Sequence, residues 1–320
     1  MAVTLTGGAV ITGGMQITPP APTPGAENFG YSMGGRTPAG NADMIQKYSY
    51  TSDGNATDVG NLPRNINQTR GASSATNGYT MGGYTPSVGD DITDISKFAF
   101  TSDGNASDVS DLALKIRMQA PASSTTHGYS AGGYSTVTFP PSINDRTMIQ
   151  KFEFATDSDA SDIGDLTVPR YYMAGSQSST HGYAAGGETI PGGEQNIIDK
   201  YPFASDGNAT DVGDLSTTNA RTTGTFSNTH GYANGGVGPL KTYIEKWSFA
   251  SDGNATKSAD LFDGTEGGSG SSSKTYGYVA GGEQADYKTI QKYPFASDDD
   301  STDVGDLIGT QSNNAAGAQY

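Results

Sequence analysis

The sequence predicts an all-β protein, a six-bladed β-propeller in which each blade takes up roughly 50 residues. The first observation is a glycine- and tyrosine-rich element, GYxxGG, whose six copies begin at Gly30, Gly78, Gly128, Gly182, Gly231 and Gly277. The second is that every copy is followed by a Lys-aromatic-x-aromatic element and then by an acidic turn close to SDGNATDVGDL. A regular period of this length marks a repeat architecture built from one supersecondary unit.

Each repeat contains four short segments with the character of β-strands. In the third repeat, residues 123–126 lead into segment 127–133, whose closing glycine pair suits positive φ or close backbone approach. Residues 148–154 (MIQKFEF) alternate between two faces, which is the period-two pattern of a strand. The polar turn 157–161 and the short return strand 162–166 complete the unit. Four antiparallel strands, repeated six times, are typical of a propeller.

Three features of the repeat resemble the kelch family. They are the glycine pair that closes the second strand, the aromatic residue of the third strand, and an arginine before the next unit (Arg70, Arg117, Arg170 and Arg221). The resemblance covers residues 26–320 and implies a propeller. The family's fourth-strand tryptophan is missing, because the only tryptophan, Trp247, stands in the third-strand aromatic position. The chain therefore resembles a divergent, kelch-like group.

The register of the repeats predicts how the ring closes. Residues 308–320 stand where the first strand of another unit would begin, but no seventh GYxxGG follows them. We therefore expect this tail to supply the innermost strand of the first blade.

Residues 1–25 are predicted to form an arm outside the propeller, which then spans residues 26–320. The segment VTLTGGAVITGGMQIT alternates as a strand does, and the proline-rich residues 19–24 are typical of a stiff linker. An anchoring or assembly role fits this pattern, and a strand packed on the propeller is the alternative.

The two faces of the predicted ring follow different sequence rules. Turns between the first and second and between the third and fourth strands are nearly uniform, whereas the connections on the opposite face vary freely in length and composition. Binding residues commonly lie on such loops over a rigid scaffold. We expect the variable face to bind a partner. The alternative is that these loops bind nothing and have diverged because little constrains their sequence. The candidate contacts are Arg36, Tyr84, Tyr134, Phe139, Arg146, Tyr171, Tyr172, Tyr243 and Tyr287.

Composition narrows the classes of partner. The chain carries 18 basic and 34 acidic residues, a net charge of −16, which disfavours nucleic acids and anionic membrane surfaces. No apolar run approaches the roughly 20 residues of a membrane-spanning helix, and the start lacks the basic region of a secretory signal. Cysteine is absent, which excludes disulfides and thiolate metal sites.

Several motifs have both a chemical and a structural interpretation. The turn that begins at Asp53 offers oxygen ligands at spacings that calcium loops favour, but Asp, Gly and Asn also stabilise a hairpin turn. His127, His181 and His230 share one repeat position and would either bind a metal together or serve as polar turn residues. GxSxG matches at Gly30 and Gly128 lack the strand-to-helix turn of a nucleophile elbow. We predict no catalytic residue, no metal site and no cofactor, with calcium at the acidic turns as the open alternative.

The sequence of the repeats, the TLTGG…ITGG start and the cysteine-free composition resemble those of kelch-like virion proteins of tailed bacteriophages, especially marine and cyanobacterial phages. The resemblance implies a non-enzymatic structural protein of the tail or fibre, assembled in the host cytoplasm and located in the virion. It also implies that the arm contacts other virion proteins while the variable face contacts a host-surface glycan or protein. A capsid decoration protein and a sialidase-like glycan hydrolase are the alternatives. A hydrolase would need an arginine cluster and paired acids near the axis.

Overall fold

The computed structural model describes residues 28–37, 40–136, 147–283, 288–309 and 316–319. Within them six antiparallel four-stranded sheets follow one another along the chain. The innermost strands of adjacent sheets are neighbours all the way round, which makes the ring of a six-bladed β-propeller. The predicted fold class is confirmed. The predicted arm, residues 1–25, lies outside the described residues.

Each blade has four strands, numbered here from the axis outwards. The strands of each number are given in the order of blades one to six. First strands are Ala316–Gln319, Arg70–Ser73, Ala120–Ser123, Ala174–Gln177, Thr223–Phe226 and Ser269–Ser272. Second strands are Phe29–Met33, Asn77–Met81, His127–Ala131, His181–Ala185, His230–Asn234 and Tyr276–Ala280. Third strands are Met44–Ser49, Asp94–Ala99, Met148–Glu153, Gln195–Pro202, Tyr243–Ser248 and Thr289–Pro294. Fourth strands are Thr57–Asn61, Ser107–Asp111, Ser161–Asp165, Thr210–Asn219, Thr256–Asp260 and Thr302–Asp306.

Short elements decorate the loops between second and third strands. Arg36–Thr37 pairs with Gly40–Asn41 in blade one, and Tyr84–Thr85 pairs with Asp90–Asp91 in blade two. A 3-10 turn covers Gly238–Leu240 in blade five. None of the helices in the described ranges has the length and apolar character needed to cross a bilayer.

The ring closes through the C-terminal tail, as the register predicts. Ala316–Gln319 pairs antiparallel with Phe29–Met33, with Gly30 opposite Gln319 and Met33 opposite Ala316. The first blade is therefore assembled from both ends of the described chain. Phe29 and Gln319 lie at the same edge of this blade, the edge that carries the uniform turns. We call this side of the ring the hairpin face and the opposite side the loop face.

Aromatic side chains fill the spaces between blades. The GYxxGG tyrosine of one blade packs on the two third-strand aromatic residues of the next; Tyr129, for example, stacks on Phe203 with ring centroids 4.5 Å apart and lies 5.9 Å from Tyr201. Each of these rings buries on the order of 150–250 Å². The glycine before the tyrosine is required by the same packing, because a Cβ on Gly128 would lie 2.3 Å from the Phe152 ring.

The acidic turns join each blade to the one before it. In one such contact the Lys200 ammonium lies 2.7 Å from a carboxylate oxygen of Asp252, and the Asn254 side-chain oxygen accepts a hydrogen bond of 3.1 Å from the Asp214 amide. The ion pair recurs at every blade boundary: Lys47–Asp103, Lys97–Asp157, Lys151–Asp206, Lys200–Asp252, Lys246–Asp298 and Lys292–Asp53. In this contact a lysine and a backbone amide thus already bind the Asp252 and Asn254 side-chain oxygens, which calcium would need as ligands.

Candidate recognition site

On the loop face, the connections into the innermost strands of blades two to six each contain one residue in the left-handed backbone region. Gln68, Met118, Tyr172 and Arg221 have φ between 55° and 60°, and Gly267 has φ 68°. The amides of the last four each donate to the carbonyl of the preceding residue in this series around the axis, over 2.8–3.0 Å. A non-glycine residue in this conformation costs about 1 kcal/mol or more. Four different side chains are therefore held around the axis at positions where glycine would be unstrained.

Next to this series, tyrosine and arginine side chains touch one another in a continuous row, which we call the tyrosine–arginine arc. The Arg117 guanidinium lies 5.3 Å from the centre of the Tyr84 ring and 4.8 Å from that of Tyr134. Tyr134 meets Tyr171 edge-on at 5.6 Å, and Tyr171 lies 5.2 Å from Tyr172. These ring and cation–ring contacts hold the side chains in fixed orientations. The arc consists of Tyr84, Arg117, Tyr134, Tyr171, Tyr172 and Arg221.

Tyr172 belongs both to the arc and to the hydrogen-bonded series around the axis. Its ring is 5.0 Å from the Arg221 guanidinium, and its hydroxyl accepts a hydrogen bond of 3.2 Å from the Gln68 side-chain amide. Burial raises the pKa of Tyr172, although the nearby cations Arg221 and Arg70 oppose the shift. The phenol is therefore protonated at neutral pH. Its ring is the buried member of the arc.

Both arginines of the arc have acidic neighbours. Arg117 Nε lies 3.2 Å from a carboxylate oxygen of the fully buried Asp91, whose pKa burial raises although Arg117 opposes the shift. Arg221 lies 3.8 Å from Glu188 and 3.6 Å from Glu266. Each arginine of the arc therefore has at least one carboxyl group close enough to offset its charge.

A pair of carboxyl groups lies at the end of the arc in blade six. Burial and a hydrogen bond to the Glu266 side chain raise the pKa of Glu283. The Glu266 carboxylate also lies 3.3 Å from the Lys241 ammonium. A carboxyl group with a raised pKa, next to a second carboxyl group and close to Arg221, is the kind of arrangement that proton transfer to a bound molecule uses.

The structure brings together four of the nine candidate contacts, namely Tyr84, Tyr134, Tyr171 and Tyr172. Arg36 is exposed in the short strand Arg36–Thr37 of blade one. Tyr243 begins the third strand of blade five, where the Lys257 ammonium lies 4.2 Å from its ring centre. The remaining three candidates, Phe139, Arg146 and Tyr287, lie outside the described residues.

Arg117 and Arg221 were not among the candidate contacts, because the four arginines that precede a repeat were treated as one shared feature of the repeat. In the structure they are not equivalent. Arg170 is fully buried, where it pairs with Asp199 at 2.7 Å and donates to the Gly186 carbonyl. Arg70 begins the innermost strand of blade two. The available signal was spacing, since the four arginines precede the next GYxxGG by four different numbers of residues.

The innermost strands pack closely against their neighbours around the axis. A Cβ on Gly317 would lie 1.9 Å from the Gly270 carbonyl oxygen, and a Cβ on Gly71 would lie 1.9 Å from that of Gly317. The two axial cavities lined by these glycines measure about 40 and 50 Å³. Typical pockets for small organic ligands have about 300–1,000 Å³. These two cavities are therefore too small to enclose a sugar-sized ligand.

The three histidines lie on the hairpin face, one per blade. Each ring nitrogen Nδ1 forms a hydrogen bond of 2.8–2.9 Å with the hydroxyl of the preceding threonine. No group of three or more metal-binding side chains occurs within the described ranges. The histidines therefore act as turn residues in this structure.

Comparison with known proteins supports the fold alone. No protein-family model matches the chain, and no curated protein matches it. In contrast, 252 chains of solved structures match it, so the architecture is common and carries no function by itself. One of them, YjhT, is 15% identical, with a TM-score of 0.66, and the match covers 88% of this chain and 98% of YjhT. The chain is thus similar to YjhT in its propeller fold.

Proposed function

We propose that this chain is a non-enzymatic, kelch-like virion protein of a tailed phage, associated with the tail or a fibre, that recognises the host surface. The observation that carries the recognition role is the tyrosine–arginine arc, which is preorganised on the face opposite Asn28 and Gln319, the first and last residues that the structure describes. Tyrosine and arginine are enriched where proteins bind their partners most strongly. The assignment to a phage particle rests on the resemblance of the repeat sequences and the composition to those of kelch-like virion proteins.

The positions of the chain ends support an outward orientation of the arc. Asn28 and Gln319 both lie at the hairpin face. A particle attached through residues 1–25 would therefore hold the hairpin face towards itself and the loop face towards the host. Capsid decoration would use the same geometry, with the particle's head as the attachment point.

Two measurements test this proposal. Mass spectrometry of purified native particles should identify the chain, and its absence from particles would contradict the virion assignment. The purified protein should bind host cells and compete with particle adsorption. Tyr171→Ala should weaken this competition, while Tyr276→His should not, because Tyr276 lies on the hairpin face at the position where three blades have histidine. Equal competition by both variants would remove the arc from the recognition site.

The second candidate is a glycan hydrolase, which the Glu266–Glu283 pair beside Arg221 favours. Glycoside hydrolysis uses two carboxyl groups with different proton affinities. The small axial cavities weigh against it, because they do not enclose a sugar ring. Release of reducing ends from host glycans by the purified protein, and its loss in Glu283→Gln, would replace the recognition proposal with this one.

A further inference from the structure

We propose that the tyrosine–arginine arc binds an uncharged glycan laid across the loop face. This inference rests on the proposed recognition function and names the ligand class of the same site.

The rings of the arc suit the apolar faces of sugars. Tyr84, Tyr134 and Tyr171 are partly exposed, and ring contacts or the Arg117 guanidinium hold them in place. Tyrosine combines an apolar ring with a hydroxyl group, so it can pack against C–H groups and hydrogen-bond to sugar hydroxyls at the same time. Because the side chains are already held, little conformational entropy is lost on binding.

The charges of the arc favour an uncharged ligand over an acidic one. Arg117 has Asp91 within 3.2 Å, and Arg221 has Glu266 within 3.6 Å. Beside the arc, the Lys115 ammonium lies 2.7 Å from a carboxylate oxygen of Asp90. These cations already have carboxylate neighbours, and the chain as a whole carries a net charge of −16. A sulfated or carboxylated polysaccharide would be repelled by this field.

The surface favours a glycan over a protein partner. Stable protein interfaces bury a contiguous apolar core. The large apolar side chains that are exposed within the described ranges belong to four different blades or their connections: Val88, Ile190, Phe262 and Ile308. Because the two axial cavities are too small for a sugar ring, the proposal places the glycan on the surface of the loop face, where the arc lies.

The direct test is affinity electrophoresis in native gels cast with single polysaccharides. Dextran, mannan and galactan are the uncharged probes; alginate and chondroitin sulfate are the acidic ones. At least one uncharged polysaccharide should retard the protein. Tyr171→Ala should weaken this binding about tenfold, the value of one ring contact. Tyr171→Phe, which keeps the ring, and Tyr276→His, the control on the hairpin face, should bind as the unchanged protein does.

Equal thermal midpoints for all three variants would show that the ring, rather than folding, decides the result. Retardation by the acidic polysaccharides alone would overturn the charge argument. The absence of retardation by every uncharged polysaccharide would overturn the proposal, as would equal binding by Tyr171→Ala and Tyr276→His.

Pretreated host cells separate this inference from the recognition proposal. If periodate oxidation of surface glycans abolishes attachment and protease treatment does not, both proposals are supported. Attachment that only protease abolishes would indicate a protein receptor, which overturns the glycan inference and leaves recognition intact. Polysaccharide binding in gels without any attachment to untreated cells would overturn the recognition proposal and support the glycan site.

Discussion

At the start of the second strand, one residue position shows how different side chains satisfy the same local geometry. Blades three, four and five have histidine there, and blade two has Asn77. The Thr76 hydroxyl donates to the Asn77 side-chain oxygen at 2.8 Å, the same distance as between Thr126 and His127 Nδ1. Asparagine can therefore replace histidine at this position without loss of this bond.

This equivalence yields a prediction for pH dependence. Burial, followed by the positive charge of a nearby lysine, lowers the pKa of His127, His181 and His230 below the ordinary value of 6.5. The unfolded chain therefore takes up protons first, so stability is full above about pH 6.5 and falls as the pH drops through the lower, folded-state values. The triple variant His127→Asn, His181→Asn, His230→Asn should lose less stability over this range. Urea midpoints between pH 7.5 and 5 measure the difference, and identical pH profiles would contradict it.

Individual residues of the arc were only partly predictable. The tyrosines stood out because they lie in loops that vary between repeats. The pairing of Arg117 with Asp91 was not accessible from sequence, because it joins the connection between two blades to a loop inside one of them. Burial of Tyr172 likewise depends on Met118 and Ala220, which come from other connections.

At the scale of strands and turns, the contacts between neighbouring blades explain which repeats keep glycine. A Cβ on Gly164, in the fourth strand of blade three, would lie 2.4 Å from the Gly207 carbonyl oxygen in the next turn. Where the strand has Ser110 or Ala259 in place of glycine, the facing turn also lacks its glycine and has Ser158 or Asp299. The two positions vary together because their backbones touch.

We expect a substitution on one side of this contact to lower the free energy of unfolding, and one on the other side to leave it almost unchanged. Gly164→Ala should destabilise the protein by about 1–3 kcal/mol, because the methyl group overlaps backbone and φ is +153°. Gly207→Ala should change stability by less than about 0.5 kcal/mol, since a Cβ there meets nothing within 4 Å and φ lies outside the left-handed region. Urea unfolding of both variants is the measurement. A similar loss in both would refute the proposed contact.

The elements themselves were largely predictable, because period-two alternation and repeated turns identify strands without knowledge of their partners. The role of the acidic turn was predicted less completely. Its composition indicated a hairpin, but equivalent residues of successive repeats give no sign that Asp252 pairs with Lys200 of the preceding blade rather than with its own.

At the scale of the whole molecule, closure by Ala316–Gln319 removes the one open inner edge of the ring. Without residues 308–320 the strand Phe29–Met33 would expose unpaired backbone, and Gly317 would no longer pack between Gly270 and Gly71. The four paired residues contribute on the order of 4 kcal/mol, at about 1 kcal/mol for each hydrogen bond.

Truncation after Leu307 should therefore lower the thermal midpoint and promote aggregation. A synthetic peptide of residues 308–320 should restore part of the midpoint by adding the missing strand. Scanning calorimetry with and without the peptide checks both expectations. An unchanged midpoint after truncation would mean that the tail strand contributes no stability to the ring.

Closure by neighbouring chain ends also determines how the molecule carries mechanical load. Because Gly30 and Gln319 face each other at one edge of blade one, tension applied between the two ends would separate this strand pair one residue at a time, the geometry in which hydrogen bonds break singly. Tension applied between the amino end and the loop face would instead be distributed over the blade contacts. The fold is thus mechanically suited to being held by one end while a ligand pulls on the opposite face.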